Sequence, residues 1–173
     1  ALSGGLTLEA GRTADGASAT AAGTVSLNAA NNIRLLSKGL TVSAVSGIAL
    51  SGYVESKTLA TLTTSDAASN VAASNASNIF SAGITATSGT TGSINLKGTG
   101  NTELKSISAG TGGATIEVAG SVTSTSAFTS LGAASITSST GSDGNIDLTG
   151  AFSVAGNVTL SADKPGSIRI NNI

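Results

Sequence analysis

The chain has 173 residues and a formal net charge of −1, and it contains no run of Lys and Arg. This charge balance excludes electrostatic binding to nucleic acid or to an anionic membrane surface. Only 2% of the residues are aromatic and 10% are charged, so a conventional globular core would be hard to fill. Because 39% are hydrophobic and the mean hydropathy is +0.29, the composition also argues against disorder.

Several residue types are missing altogether. The chain has no Cys, Met, Trp or His, so disulfides do not hold the fold and the commonest metal ligand is absent. No signal-peptide pattern and no apolar run long enough to span a bilayer occur in the sequence. The chain begins and stops inside repeat-like phrases, which predicts one segment, 1–173, of a longer repetitive protein.

A short phrase recurs along the chain, in which a glycine precedes alternating apolar and polar residues. Such alternation is typical of a strand with one buried and one wet face. The copies lie at residues 5–8, 23–27, 47–50, 92–96, 113–118, 144–150, 156–162 and 166–172.

The apolar residues of these phrases return at steps of roughly 20 to 24 residues, the range of solenoid repeats. The first series is Val25, Ile48, Val71, Ile94, Ile116, Ile136 and Val158; the second is Leu62, Ile84, Ile107, Phe128 and Phe152; Ile146 and Ile168 form a third pair. The sequence therefore predicts an all-β fold, a parallel β-helix (β-solenoid) with coils of roughly 20–24 residues. About eight coils would give a rod near 40 Å long.

Two details of the interior can be predicted. Phe80, Leu104, Phe128 and Phe152 are spaced by one coil each, so they are expected to stack in one inward column. Residues 65–78 are the least strand-like, and an irregular coil side with Val71 inward is expected there. A short helix beginning at Ser65 or Asp66 is the alternative.

The acidic residues give little support for catalysis. They are Glu9, Asp15, Glu55, Asp66, Glu103, Glu117, Asp143, Asp147 and Asp163, and none forms a close cluster in the sequence. A polysaccharide-acting enzyme on the same scaffold would need acidic groups converging in a cleft with aromatic residues. Convergence of Asp143, Asp147, Glu117 and Lys97 in one groove would favour it. We predict no enzyme activity and no catalytic, cofactor-binding or metal-binding residues.

Smaller motifs are also best explained without a ligand. The calcium-binding Gly-rich nonapeptide is absent, and Tyr53 is interpreted as a turn residue. Thr85-Ala86-Thr87 and Thr123-Ser124-Thr125 resemble the Thr-x-Thr ranks of ice-binding solenoids, but two isolated copies do not predict a flat Thr array. Asn75-Ala76-Ser77 and Asn157-Val158-Thr159 fit the glycosylation pattern, which chance explains in a chain this rich in Ser, Thr and Asn.

Gly92-Ser93-Ile94-Asn95-Leu96, the phrase at 144–150 and the phrase at 156–162 resemble the repeats of filamentous-haemagglutinin-type exoproteins. The resemblance covers most of the chain. It implies a right-handed β-helix shaft that is exported by two-partner secretion and acts in adhesion, aggregation or biofilm matrix. The secretion-domain signatures of that family are not recognisable here.

The expected function is therefore structural and adhesive, outside the cell or at the bacterial cell surface. The expected partners are a host or bacterial cell surface or a matrix polysaccharide, with no nucleic acid and no membrane-spanning part. Weak contacts from a long polar surface would add up. An alternative is a filament subunit that stacks end to end through uncapped coils.

Overall fold

The structure, a computed structural model, describes residues 5–11, 22–139, 144–163 and 165–171. These residues form strands joined by turns and bends, with no helix among them. The strands are β1 Leu6–Ala10, β2 Thr24–Leu27, β3 Asn32–Leu35, β4 Leu40–Ala44, β5 Gly47–Leu50, β6 Tyr53–Ser56, β7 Ala60–Thr64, β8 Asn70–Ala73, β9 Ile79–Phe80, β10 Ile84–Thr87, β11 Ser93–Thr99, β12 Thr102–Ala109, β13 Gly113–Ala119, β14 Val122–Ser124, β15 Phe128–Ser130, β16 Ala134–Ser138, β17 Ile146–Leu148, β18 Phe152–Val154, β19 Val158–Ala162 and β20 Ile168–Ile170.

The strands stack into parallel sheets, because each strand pairs with its counterpart in the next coil. The first sheet runs β1-β4-β7-β10-β12-β14-β17-β20. It forks at β12: the N-terminal end of β12 pairs with β14, and its C-terminal half pairs with β15, which in turn pairs with β18. The second sheet runs from β2 to β19 through β5, β8, β11, β13 and β16, and the third contains β3, β6 and β9. This arrangement confirms the predicted all-β, parallel solenoid.

The register confirms the coil length and corrects the number of coils. Successive partners such as Phe128 and Phe152 are 24 residues apart, and Leu40 and Ala60 are 20 apart. The first coil is longer, since Leu6 pairs with Leu40. In the described residues the seven strands of the second sheet correspond to about six turns, against the expected eight coils, and they span about 30 Å at the usual strand spacing.

Two of the predicted apolar series are right in placement, and six of their ten steps are also right in register, among them Val25–Ile48 and Ile107–Phe128. The other four steps are offset by two or three residues. All members of the first series lie in the second sheet, yet Ile116 pairs with Leu96 and Ile94 with Ala114. In the second series Ile84 pairs with Ala60 and not with Leu62. The third pair, Ile146 and Ile168, is confirmed.

The core is a column of aliphatic side chains inside the coils. Along β4, β7 and β10, inward residues are buried and their neighbours are more exposed, as alternation requires. The largest fully buried side chains are Phe128, Leu40, Leu50, Leu62, Ile84, Ile94, Leu104, Ile107, Ile116, Ile136, Ile146 and Leu148. In the last described coil the layer is uncovered: Val158 is 45% exposed and Ile168 is 47% exposed.

The predicted aromatic column is only half right. Phe128 and Phe152 pair in register and their rings stack with centroids 5.0 Å apart. Phe80 is buried, but it lies in the third sheet opposite Ser56. Leu104 instead continues the ladder of Ile84. The prediction failed there because equal spacing in sequence does not distinguish between adjacent walls of one coil.

The segment 65–78 contains the regular strand β8 between two turns, so the expected irregular coil side is wrong for residues 70–73, while Val71 is fully buried as predicted. The helix alternative is wrong for this segment. Strand pairing on both sides decides the conformation here, since Val71 lies between Ile48 and Ile94, and such tertiary contacts override the weak helix propensity of the Ala residues.

Buried polar side chains close the corners of the coils. At three strand ends an inward serine donates a hydrogen bond to the carbonyl two residues later: Ser56 to Thr58 (2.7 Å), Ser124 to Ser126 (3.0 Å) and Ser130 to Gly132 (3.1 Å). These short hydroxyl side chains satisfy carbonyl groups where the chain bends away from its ladder.

Asn and Ser side chains also form hydrogen bonds between neighbouring coils, close to the starts of the paired strands. Asn101 Oδ1 accepts from the Ser121 amide at 3.1 Å, Ser121 Oγ accepts from the Asn145 amide at 3.2 Å, and Asn145 Oδ1 accepts from the Ser167 amide at 2.8 Å. Asn70 and Ser93 repeat this contact in the second sheet. The Asn residues of the repeats therefore have an axial structural role.

Candidate functional site

The outer faces of the sheets carry the polar side chains that other molecules can reach. The groove that an enzyme would need is not formed by the described acidic residues. Lys97 and Glu117 face each other on the second sheet, with Nζ 2.6 Å from Oε2. Asp147 lies on the first sheet, where Arg169 of the next coil pairs with it at 2.7 Å. Asp143 and Asp15 lie outside the described residues.

Opposite charges pair between adjacent coils, as in Lys97–Glu117 and Arg169–Asp147, or within one strand, as in Lys105–Glu103. Arg169 donates from Nε and Nη2 to the two oxygens of Asp147, and this hydrogen bonding lowers the pKa of Asp147. Hydrogen bonding from Lys105, more than from Thr125, lowers the pKa of Glu103. Charges paired in this way are structural contacts, and each exposed pair contributes little to stability.

The most perturbed acid is Glu55 on the third sheet, whose side chain is only 6% exposed. Its Oε2 accepts hydrogen bonds from Arg34 Nε at 2.8 Å and from the Tyr53 hydroxyl at 3.0 Å. Lys57 Nζ lies 3.2 Å from Oε1. Hydrogen bonding by Arg34 and then by Lys57 lowers the pKa of Glu55 from 4.5 to about 2. These neighbours bind both carboxylate oxygens and keep Glu55 ionised, whereas a general acid must carry a proton.

Tyr53 is not a turn residue, as the sequence had suggested. It opens β6 and is half-buried, with its hydroxyl bound to Glu55. Burial raises the pKa of Tyr53, and the bond to Glu55 raises it further. The hydroxyl group of Tyr53 is therefore engaged by Glu55 on the third sheet.

The outer face of the first sheet differs from the other two, because it presents two columns of hydroxyl side chains. Burial alternates along the strands, so these residues point away from the core. The column nearer the strand starts contains Thr7, Thr41, Thr61, Thr85 and Ser106; the second contains Ser43, Thr63, Thr87, Ser108, Thr129 and Ser153, with Glu9 at its first position.

Sequence reasoning missed these columns. Thr85-Ala86-Thr87 is not an isolated copy, because Thr85 pairs with Thr61 and Thr87 pairs with Thr63 in the preceding coil. The other copy, Thr123-Ser124-Thr125, does not join them: Thr123 stands between Glu103 and Asp147. A signal was present in the sequence, since 41–43, 61–63, 85–87 and 106–108 all read hydroxyl, apolar, hydroxyl at coil spacing.

A cavity of about 150 Å³ lies beside Ser108 and Thr129, two members of the second hydroxyl column. A void of about 10 Å³ lies in the apolar core beside Phe80, Leu96 and Leu104, which is close to the smallest space that holds one water molecule. Among the described residues, no three acidic side chains lie together as metal ligands would. The same part of the chain contains no helix long and apolar enough to cross a membrane.

Comparisons of the chain with protein-family models, with curated proteins and with solved structures found no significant match. The β-solenoid fold is therefore established by the stacked register of this chain itself.

Proposed function

We propose that the chain is a shaft segment of an extracellular adhesive β-solenoid of the filamentous-haemagglutinin type. The observation that carries the proposal is the parallel pairing of strands through about six turns of the described residues, with aliphatic residues inside and mainly Ser, Thr and Asn outside. Such a stack is rigid, extends in one dimension and can present polar side chains at successive coils. The repeat phrases that resemble this family are the inter-coil pairing strands themselves.

The proposed shaft works by adding many weak contacts to a cell surface or a matrix polysaccharide. It needs no catalytic group, and the described charged residues are engaged mainly with one another. Because the chain carries little net charge, its electrostatic repulsion from a cell surface or a polysaccharide is small. Export to the cell exterior follows from the same family resemblance and forms part of this proposal.

The test is adhesion of the purified chain as a function of its length. Fluorescent beads are coated with one, two or three tandem copies and incubated with bacterial and epithelial cells. Binding should rise steeply with copy number, by on the order of tenfold or more per added copy, because linked sites bind intramolecularly. Beads coated with a charged, non-repetitive protein of equal size are the control. Binding equal to that control at every copy number would reject adhesion.

A second candidate function is end-to-end assembly into filaments. Its interface in this chain would be the coil that contains Val158 and Ile168, whose side chains are 45% and 47% exposed. Exposed strand edges and apolar layers promote polymerisation. Electron microscopy of the purified chain should show rods many times longer than a single chain, and Val158→Lys with Ile168→Lys should abolish them. Leu131→Lys, a change at a residue 51% exposed in the preceding coil, should not. Single short rods at high protein concentration would exclude assembly.

A further inference from the structure

The two hydroxyl columns of the first sheet form a two-dimensional array. Over four consecutive coils every outward position in both columns is Ser or Thr: Thr41 and Ser43, Thr61 and Thr63, Thr85 and Thr87, Ser106 and Ser108. Hydroxyls in one column repeat at about 4.8 Å along the axis, and the two columns lie about 6.7 Å apart along each strand. A bulge after Ile84 shifts the β12 partner by one residue but leaves both columns aligned.

The array is free to bind. Within the described part of the chain, none of these eight hydroxyl groups forms a hydrogen bond to another protein group. Thr side chains are also stiff about χ1, so their methyl and hydroxyl groups are held at fixed positions on a hydrogen-bonded sheet. Binding then orders few side chains and costs little entropy.

The array carries no charge across these four coils. The side chain of Lys105, which sits at the bulge, turns to Glu103 at 2.7 Å. The second sheet lacks this uniformity, since its outward column reads Ser26, Ala49, Ala72, Asn95, Thr115, Ser135 and Thr159, with the Lys97–Glu117 pair alongside. The third sheet carries the Arg34–Glu55 pair. A regular, uncharged array is thus particular to one face.

We propose that this face binds the surface of ice. A crystal of water presents oxygen atoms in a repeating lattice, and repeats near 4.8 Å by 6.7 Å are comparable to the oxygen spacings of hexagonal ice. Neutral hydroxyl and methyl groups at such intervals can order water molecules at positions that match the ice lattice. Many such weak contacts together attach the protein firmly to the crystal. A sugar chain fits this face less well, because the described aromatic residues lie elsewhere: Tyr53 and Phe80 are in the third sheet, and Phe128 and Phe152 point inward.

The experiment measures thermal hysteresis and inhibition of ice recrystallisation by the purified chain. Thr63→Tyr with Thr87→Tyr places two rings in the middle of the second column. The matched control, Thr115→Tyr with Thr137→Tyr, places the same rings outward on adjacent strands of the second sheet. Circular dichroism and melting temperature establish that both variants fold. The first variant should lose on the order of tenfold in hysteresis, as expected when a multivalent array is interrupted, and the control should keep wild-type activity.

Two results would overturn the proposal. One is the absence of hysteresis and of recrystallisation inhibition in the unaltered chain. The other is equal loss in both double variants, which would show that the first sheet is not the binding face. Binding to insoluble cellulose or chitin is measured in parallel, and loss confined to that binding would assign the face to a polysaccharide instead. Adhesion to cells is measured separately. A negative result for ice binding therefore does not reject the shaft function, and a negative result for adhesion does not reject ice binding.

Discussion

Asn78 is a fully buried side chain whose Oδ1 accepts a hydrogen bond at 2.8 Å from the backbone amide of Val54, 24 residues earlier. Its Nδ2 donates to the carbonyl of Ala73 in its own coil and to that of Lys97, both at 3.2 Å. One side chain thus ties the backbone at three positions, in a corner where ladder hydrogen bonds are interrupted.

Asn78→Ala should therefore destabilise the chain strongly. It leaves one buried amide and two carbonyls without this partner, and each buried unsatisfied group costs about 1–3 kcal/mol, so we expect a loss of about 3 kcal/mol or more in the free energy of unfolding. Urea denaturation measures this loss, and hydrogen exchange should show faster exchange of the Val54 amide. Asn75→Ala is the control, because the exposed Asn75 reaches another coil only through a 3.4 Å contact and otherwise accepts a local hydrogen bond from the Ser77 amide at 2.9 Å. Equal losses in the two variants would contradict the assigned role.

The Glu55 cluster predicts a pH dependence of stability. Hydrogen bonds, first from Arg34, lower the pKa of Glu55 to about 2 in the folded chain, from 4.5. A depressed folded-state pKa stabilises the fold above pH 4.5, and that contribution is lost as the pH falls from 4.5 towards 2. Glu55→Gln should therefore unfold at a lower urea concentration than wild type at pH 7, with the gap closing below pH 4.5. A gap that stays constant from pH 7 to pH 2 would disprove the linkage.

Glu117→Gln serves as the control for removing a carboxylate. The Glu117 side chain is 46% exposed and pairs with Lys97 alone. Exposed pairs contribute about 0–1 kcal/mol and are screened by salt. The urea midpoint of this variant should differ little from wild type at pH 7, and less still in high salt.

Two glycines with positive φ should respond differently to alanine. Gly113 has φ of 83° and Gly100 has φ of 75°, so each substitution carries left-handed strain of about 1–2 kcal/mol. A Cβ on Gly113 would lie 2.4 Å from the carbonyl oxygen of Ala133 in the next coil, whereas Gly100 has no atom within 4 Å of that position. Gly113→Ala should therefore be the more destabilising of the two in denaturant unfolding. Similar losses would mean that the coils separate easily at that corner.

The stacked rings of Phe128 and Phe152 should be energetically coupled. Their centroids are 5.0 Å apart and their planes are inclined by 29°, a geometry worth about 0.5–1.5 kcal/mol beyond burial. A double-mutant cycle of Phe128→Leu and Phe152→Leu should recover that coupling from urea denaturation. The cycle of Phe128→Leu with Phe80→Leu should be additive to within about 0.5 kcal/mol. Coupling of the same size in both cycles would remove any special role for the stack.

Much of the fold could be predicted from the sequence, and most of the errors in register have one cause. A strand that slips by two residues keeps the same faces buried and exposed, so alternation does not distinguish Ile116 opposite Ile94 from Ile116 opposite Leu96. The structure selects Leu96. The same ambiguity explains why the hydroxyl columns were not predicted. Which Ser and Thr residues lie beside Thr85 and Thr87 depends on the register between coils.

The sequence by itself determined that this chain winds into parallel coils of about 22 residues with an aliphatic interior. That conclusion needs only a two-residue alternation and a repeat, and both are local properties of the chain. Only the tertiary structure decided which side chains become neighbours between coils: Asn78 with Val54, Arg34 with Glu55, Thr63 with Thr87. Those contacts depend on bulges and corner lengths, which change the register without changing the pattern of buried residues.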